Sequence, residues 1–178
     1  MRSPTPVLFG LVAALAVTCV TPASAQLAVA QIKDSSGKPI ADANFTQTPA
    51  GVLIRLDIKG LPAGERAFHI HAVGKCEAPF TSAGPHFNPG GHKHGMMAGQ
   101  AHAGDMPNLH IPQSGELSIQ VLNGAVTLEK GKPNSLLKEE GTALVIHAKA
   151  DDYKTDPAGD AGDRIACGVV TESGQAPK

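Results

Sequence analysis

The sequence predicts an all-β domain, a sandwich or barrel of seven or eight short strands. Short stretches of alternating or β-branched residues recur along the chain, and this pattern is typical of half-buried strands. Clusters of Gly, Pro, Asn and Ser separate them, as turns require. No stretch shows sustained helical periodicity with capping residues. With 178 residues, the chain is long enough for one domain with its own core but too short for a second large one.

The strand pattern appears in seven segments. In chain order they are Leu27–Lys33, Val52–Lys59, Ala67–His71, Leu117–Val121, Ala125–Glu129, Ala143–Lys149 and Ile165–Thr171. Two segments show no strand pattern, Gly74–Pro112 and the shorter Asp151–Arg164. A long irregular segment is unusual in a compact domain unless function and cross-links hold it in place. We therefore expect both segments to be functional loops.

The first 25 residues have the three-part pattern of a secretory signal. Arg2 precedes an apolar run from Val7 to Val20, and a small-x-small cleavage sequence ends at Ala25. We expect cleavage after Ala25, a mature domain of residues 26–178 and a periplasmic location without stable membrane association. A membrane anchor is the weaker interpretation, because the apolar run is about 14 residues and a bilayer span needs roughly 20.

Charge and composition exclude two classes of partner. The formal net charge is −1, and it becomes −2 without Arg2. Aromatic residues make up 3% of the chain, and Trp is absent. The chain therefore lacks both the basic surface of a nucleic-acid-binding protein and the aromatic platforms that stack bases. We expect neither nucleic acid nor an anionic membrane surface as a partner.

Two cysteines remain in the mature chain, Cys76 and Cys167. Disulfides persist outside the cytosol, and an even pair there is most simply a bridge. A pair of free, inert thiols is the alternative. Cys76 lies at the start of the first irregular segment and Cys167 lies just after the second. A bridge would therefore tie both segments to the strands.

Eight histidines stand out against this ordinary composition. His69 and His71 alternate with apolar residues in a predicted strand, which places both imidazoles on one face. The first irregular segment holds five more, and together with Asp105 they supply the three nitrogens and one oxygen that zinc takes. His147 ends the strongly apolar stretch Ala143–His147, where a core histidine without ligand function is the alternative.

These motifs resemble those of the copper/zinc superoxide dismutases, in particular the exported bacterial branch. The resemblance covers most of the mature chain and rests on Gly60–Leu61, Phe68–His71, Gly84–Pro89, Lys93–Gly95, His102–Asp105, Val145–Asp151 and Gly159–Gly168. It implies an eight-stranded Greek-key β-barrel or sandwich with two long functional loops. It also implies an enzyme that converts superoxide to dioxygen and hydrogen peroxide and protects the extracytoplasmic compartment. Exported members occur as monomers and as homodimers, so the resemblance allows either.

The resemblance further implies one copper and one zinc per chain. Copper would be held by His69, His71, His86 and His147, and zinc by His86, His94, His102 and Asp105. His86 would bridge the two metals as an imidazolate and would couple proton transfer to electron transfer. Four nitrogens suit Cu(II), which can cycle by one electron, whereas zinc cannot.

Two more residues receive roles from the resemblance. Asp151 would accept hydrogen bonds from His71 and His94 and so fix their tautomers; a solvated loop carboxylate is the alternative. Arg164 would lie beside the copper and attract the anionic substrate, with a surface salt bridge as the alternative.

The remaining assignments complete this hypothesis. Cys76 and Cys167 would form the family disulfide. His92 and His110 match no family position, so we expect exposed side chains, with adventitious metal binding as the alternative. Two other functions compete with the dismutase. A metal-binding module without catalysis would typically lack part of the copper set, and a zinc hydrolase would need an open zinc position.

Overall fold

A computed structural model describes residues 26–97 and 99–173. This part of the chain contains the strands β1 (Leu27–Asp34), β2 (Pro39–Thr48), β3 (Gly51–Lys59), β4 (Gly64–Arg66), β5 (Phe68–His71), β6 (Leu109–Ile111), β7 (Glu116–Asn123), β8 (Ala143–His147), β9 (Arg164–Val169) and β10 (Thr171–Ser173). A short 3₁₀ turn spans Thr81–Ala83. In the described ranges, no helix is long and apolar enough to cross a membrane. The predicted all-β class is confirmed, and the predicted signal, residues 1–25, lies outside the described residues.

Eight strands form one curled antiparallel sheet. Its order is β5-β8-β9-β1-β2-β3-β7, and β10 pairs with β1. The neighbour of β3 is β7 rather than the next strand in sequence, a connection of the Greek-key type. β4 and β6 form a separate pair; β4 leads into the edge strand β5, and β6 contacts the other edge strand, β7. The small pair therefore links the two edges of the sheet.

Strand assignments differ from the sequence prediction at β2, β4, β6 and β10 and at Ala125–Glu129. The pattern misses β2, because Pro39–Thr48 is rich in Ala, Asp and Asn, which have low strand propensity. This segment nevertheless lies between β1 and β3 and buries Phe45 in the core. β6 lies within a segment predicted to hold no strand. The predicted strand at Ala125–Glu129 is wrong: it forms only an isolated parallel bridge between Thr127 and Ser135, and turns begin again at Lys130.

Strands β5 and β8 are buried on both faces. One face packs in the main core, with Phe68 and Ile70 contributed by β5. The other face is covered by the first loop, residues 72–108, which contributes Phe80 and Ala83 to a second apolar cluster. The second loop, residues 148–163, connects β8 to β9. The histidines on the outer face of β5 are therefore enclosed by loops rather than exposed to solvent.

A disulfide joins the first loop to β9. Cys76 and Cys167 are bonded, with their Cα atoms 5.6 Å apart. The bridge brings the start of the first loop against the strand that follows the second loop. The bridge thereby fixes the start of the first loop relative to β9, the strand that follows the second loop.

Candidate metal centre

Buried histidines from three segments meet on the outer face of β5. His69 and His71 point to this face, as the period of a strand predicts, and both are fully buried. The first loop returns to β5 through an isolated bridge between His86 and His71. His147 ends β8, and its N–H donates to the Ala67 carbonyl at 2.9 Å. The sheet register and the returning loop thus bring together residues that are up to 78 positions apart.

The first cluster, called here the four-histidine group, consists of His69, His71, His86 and His147. Each residue offers a nitrogen, and these atoms all lie within 4.8 Å of one another. The Nε2 atoms of His71 and His147 are 3.4 Å apart. His69 Nδ1 and His86 Nε2 are buried without a hydrogen-bond partner. Buried polar atoms are almost always paired, so two unpartnered nitrogens in one group fit a site that binds a cation.

The second cluster, called here the zinc-type group, consists of His86, His94, His102 and Asp105. Three Nδ1 atoms surround Asp105 Oδ1, at 2.9 Å from His86, 3.1 Å from His94 and 3.4 Å from His102. The other carboxylate oxygen, Oδ2, accepts the N–H groups of Gly95 and His102, each at 3.1 Å. The backbone of the first loop thereby turns Oδ1 toward the three imidazoles. Three nitrogens and one oxygen form a donor set that suits zinc.

The electrostatics of both groups favour metal-binding protonation states. Burial lowers the pKa of His69 to about 4, of His71 to about 2 and of His147 to about 3, because desolvation disfavours the charged form. Burial acts to raise the pKa of Asp105, but the contact with His86 and the Gly95 N–H outweigh it and hold the pKa below its usual range. Neutral imidazoles and an ionised carboxylate are the forms that bind metals.

Asp151 connects the two groups, but not through the pair of histidines predicted. Its Oδ1 lies 3.0 Å from His94 Nε2, as expected, while its Oδ2 lies 2.8 Å from His69 Nε2. The predicted partner His71 is wrong, because both of its nitrogens are engaged elsewhere. His71 Nδ1 lies 2.9 Å from the Gly84 carbonyl, and its Nε2 faces the four-histidine group. His69 has the opposite orientation and turns Nε2 toward the second loop.

Arg164 lies at the start of β9 and is partly buried. Its Nη1 donates to the Phe80 carbonyl and its Nη2 donates to the Gly84 carbonyl, both at 2.7 Å. The Gly84 carbonyl also contacts His71 Nδ1. The Gly84 carbonyl therefore lies between the guanidinium and His71 of the four-histidine group. Among the described residues, no carboxylate forms a salt bridge with Arg164.

The two histidines predicted to have no ligand role lie outside both the four-histidine group and the zinc-type group. His92 and His110 are exposed, as expected. His110 Nδ1 is 3.3 Å from Glu65 Oε1 on the neighbouring strand. The sequence reasoning assigned no role in the site to Asn108, Tyr153 or Gly159, which contact Asp151 directly. The sequence signal that could have found two of them is the position of Tyr153 and Gly159 close to Asp151 in the second irregular segment.

Fold and site together define a class of protein. It is a Greek-key β-barrel protein whose loops enclose two groups of side chains that could each hold a metal ion, and the two groups share the imidazole of His86. The family model for copper/zinc superoxide dismutase matches residues 40–170. Superoxide dismutase (Cu-Zn) 1 of Aquifex aeolicus is 57% identical over 144 residues, which cover 79% of this chain and 85% of the relative. Superoxide dismutase (Cu-Zn) of Caulobacter vibrioides is 39% identical over 148 residues, covering 80% and 84%.

Solved structures agree with this assignment. A superoxide dismutase-like protein from Bacillus subtilis is 34% identical, with a TM-score of 0.76 over 79% of this chain and 96% of that one. The chain belongs to the copper/zinc superoxide dismutase family. The predicted family and Greek-key barrel are confirmed.

Proposed function

We propose that this chain dismutes superoxide, with copper in the four-histidine group and zinc in the zinc-type group. One observation carries the proposal, the double orientation of His86. Its Nδ1 lies 2.9 Å from Asp105 Oδ1 in the zinc-type group, while its Nε2 is buried and unpartnered in the four-histidine group. A single imidazole that serves two metals must use both ring nitrogens in this way.

The reaction converts two superoxide anions and two protons to one dioxygen and one hydrogen peroxide. When bound, copper supplies a one-electron redox couple and zinc supplies fixed positive charge. His86 Nε2 is the atom that would hold a proton and return it, since it has no protein partner to compete for it. Arg164 stays ionised at all working pH values and attracts the anionic substrate over a short range. The Phe80 and Gly84 carbonyls hold its guanidinium in place.

Superoxide decay tests this function directly. Superoxide generated by a radiolytic pulse should disappear faster in the presence of the purified, metal-loaded protein. Removal of the metals should abolish the effect, and return of copper and zinc should restore it. Metal analysis of the same samples should find one copper and one zinc per chain.

Metal content also separates the competing functions. A chain that binds both metals but leaves superoxide decay unchanged would be a metal-binding module. Zinc alone, with turnover of an ester or of bicarbonate, would indicate a hydrolase. The zinc-type group already offers four protein donors, whereas hydrolytic zinc keeps a position open for water, which argues against the hydrolase.

We also propose that residues 1–25 direct export and are removed, so that the mature domain, residues 26–178, works in the periplasm without membrane attachment. The disulfide and the family are consistent with export. The intact mass of the periplasmic protein should correspond to a chain that begins at Gln26. Retention of residues 1–25, or two thiols that alkylate in the native oxidised protein, would contradict the proposal. Size-exclusion chromatography with light scattering would show whether the mature protein is a monomer or a homodimer.

A further inference from the structure

The backbone of Asp151 is held by the side chain of Asn108. Asn108 Nδ2 donates to the Asp151 carbonyl at 2.9 Å, and the Asp151 N–H donates to Asn108 Oδ1 at 2.8 Å. Both side chains are buried. The amide thus satisfies both backbone groups of Asp151, which would otherwise be costly to bury. Asn108 follows Asp105 by only three positions, so this contact joins the end of the first loop to the second loop.

Tyr153 forms hydrogen bonds with both Asn108 and Asp151. Its hydroxyl accepts the Asn108 N–H at 2.7 Å, and its own N–H donates to Asp151 Oδ1 at 2.6 Å. Its φ of 61° is in the left-handed region that favours glycine. Gly95 of the first loop packs closely against the Tyr153 carbonyl, because a Cβ added to Gly95 would collide with that oxygen. Tyr153 therefore contacts Asp151, Asn108 and the backbone next to His94 at the same time.

We propose that Asn108 and Tyr153 are positioning residues for zinc, and we call the pair the clamp. The clamp acts through Asp151. It holds the carboxylate so that Oδ1 meets His94 Nε2 while Oδ2 meets His69 Nε2. Loss of the clamp leaves the backbone of Asp151 without these bonds, so its carboxylate can shift away from the His94 ring. The inference rests on the zinc set proposed above.

The physical consequence is a selective loss of zinc affinity. Partners that orient a ligating histidine from behind contribute roughly 10- to 100-fold in metal affinity. Tyr153→Phe removes one hydroxyl and keeps the ring, so we expect an effect at the lower end, roughly tenfold. Asn108→Ala removes both bonds to the Asp151 backbone, and we expect an effect toward the upper end, up to about 100-fold.

The experiment measures zinc retention by the full mature protein loaded with copper and zinc. A competing chelator is titrated, released zinc is quantified with a colorimetric indicator, and the chelator concentration that removes half of the zinc is compared between variants. The matched control is Asn134→Ala, because Asn134 Nδ2 also donates to a backbone carbonyl, that of Ala125, at 2.9 Å. The control should release zinc like the wild type.

A double-mutant cycle separates positioning from a general loss of stability. In the Asp151→Ala background the clamp has no carboxylate to orient, so Tyr153→Phe should cause no further loss of zinc. Equal losses in both backgrounds, or wild-type retention by Tyr153→Phe and Asn108→Ala, would overturn the clamp while leaving the proposed function intact. A wild-type protein that holds no zinc at all would overturn both. Tyr153→Phe keeps the test valid if Asn108→Ala does not fold.

Discussion

His86 lies where the two histidine groups meet, and its two nitrogens face different groups. We therefore expect His86→Ala to impair copper binding, zinc binding and superoxide turnover together. His94 belongs only to the zinc-type group, so His94→Ala should lose zinc and keep the four-histidine group complete. Metal analysis and pulse-generated superoxide decay measure both effects. Near-native turnover of His86→Ala would contradict the bridging role, and the exposed His92→Ala variant is the matched control.

Gly159 is a second position where a small substitution should disturb the site, because a glycine leaves room for the Asp151 carboxylate. Its φ is 65°, and a Cβ there would collide with Asp151 Oδ1 and lie 2.7 Å from His94 Nε2. Gly159→Ala should therefore break the contact between these residues and lower zinc affinity by roughly 10- to 100-fold. Gly91→Ala is a close control, because Gly91 also has a φ of 65° but open space around its Cα. An equal loss of zinc affinity in both variants would show that backbone strain, and not the collision with Asp151, causes the loss.

At the scale of elements, the disulfide links the first loop to β9. Its two cysteines are separated by 91 positions, and closing such a loop in the unfolded chain is worth up to about 4.6 kcal/mol in the chain-entropy model. The double variant Cys76→Ala/Cys167→Ala should lower the free energy of unfolding by about 2–5 kcal/mol. Urea unfolding of the oxidised proteins measures this difference. An unchanged midpoint would mean that the folded loops, and not the bridge, supply the constraint.

The whole sequence carries a small formal negative charge of −1, so under the proposed function the attraction of superoxide would depend on local positive charge at Arg164. Arg164→Glu should lower the superoxide rate constant by roughly tenfold or more. Charges are screened over about 10 Å at 0.1 M salt and about 3 Å at 1 M. The wild-type rate should therefore fall as salt rises, and the variant should show a flat or reversed dependence.

Rate constants measured from low to high salt test this prediction. Lys59→Glu is the control, because it changes the net charge equally from an exposed position on β3, away from β5 and β8 in the sheet. Metal content should stay intact in both variants. Identical salt slopes for wild type and Arg164→Glu would show that Arg164 has a structural role only.

The buried histidines also make the whole metal-free protein sensitive to acid. The pKa values of His69, His71 and His147 are lowered from 6.5 by burial, so the unfolded chain binds protons more readily than the folded one. Their contribution to stability is fully present above about pH 6.5, and it is lost as pH falls from there toward the folded-state pKa values of about 4, 3 and 2.

The free energy of unfolding of the metal-free protein should accordingly decrease over this range in urea titrations. His71→Leu should weaken the pH dependence, whereas the exposed His92→Leu should leave it unchanged. A free energy of unfolding that does not vary with pH would contradict the assignment of buried, neutral imidazoles.

Features that depend on local periodicity and composition could be predicted from the amino-acid sequence alone. The alternation in Phe68–His71 placed two imidazoles on one face, and the histidines beside Asp105 in the first loop indicated a zinc-type donor set, while the resemblance to the family supplied the individual ligands. Local pattern also located most of the strands, but it missed Pro39–Thr48, where position between β1 and β3 outweighs weak propensity.

Which atoms meet in the site depends on the packing of segments that are distant in the sequence. Asp151 contacts His69 and not His71, although the two histidines are equivalent in the strand pattern. The choice depends on which ring nitrogen faces a loop 82 positions away. The clamp of Asn108 and Tyr153 likewise exists only because two loops close over the same carboxylate. Side-chain periodicity specifies a face, but the orientation of a ring on that face follows from long-range hydrogen bonds that no local pattern encodes.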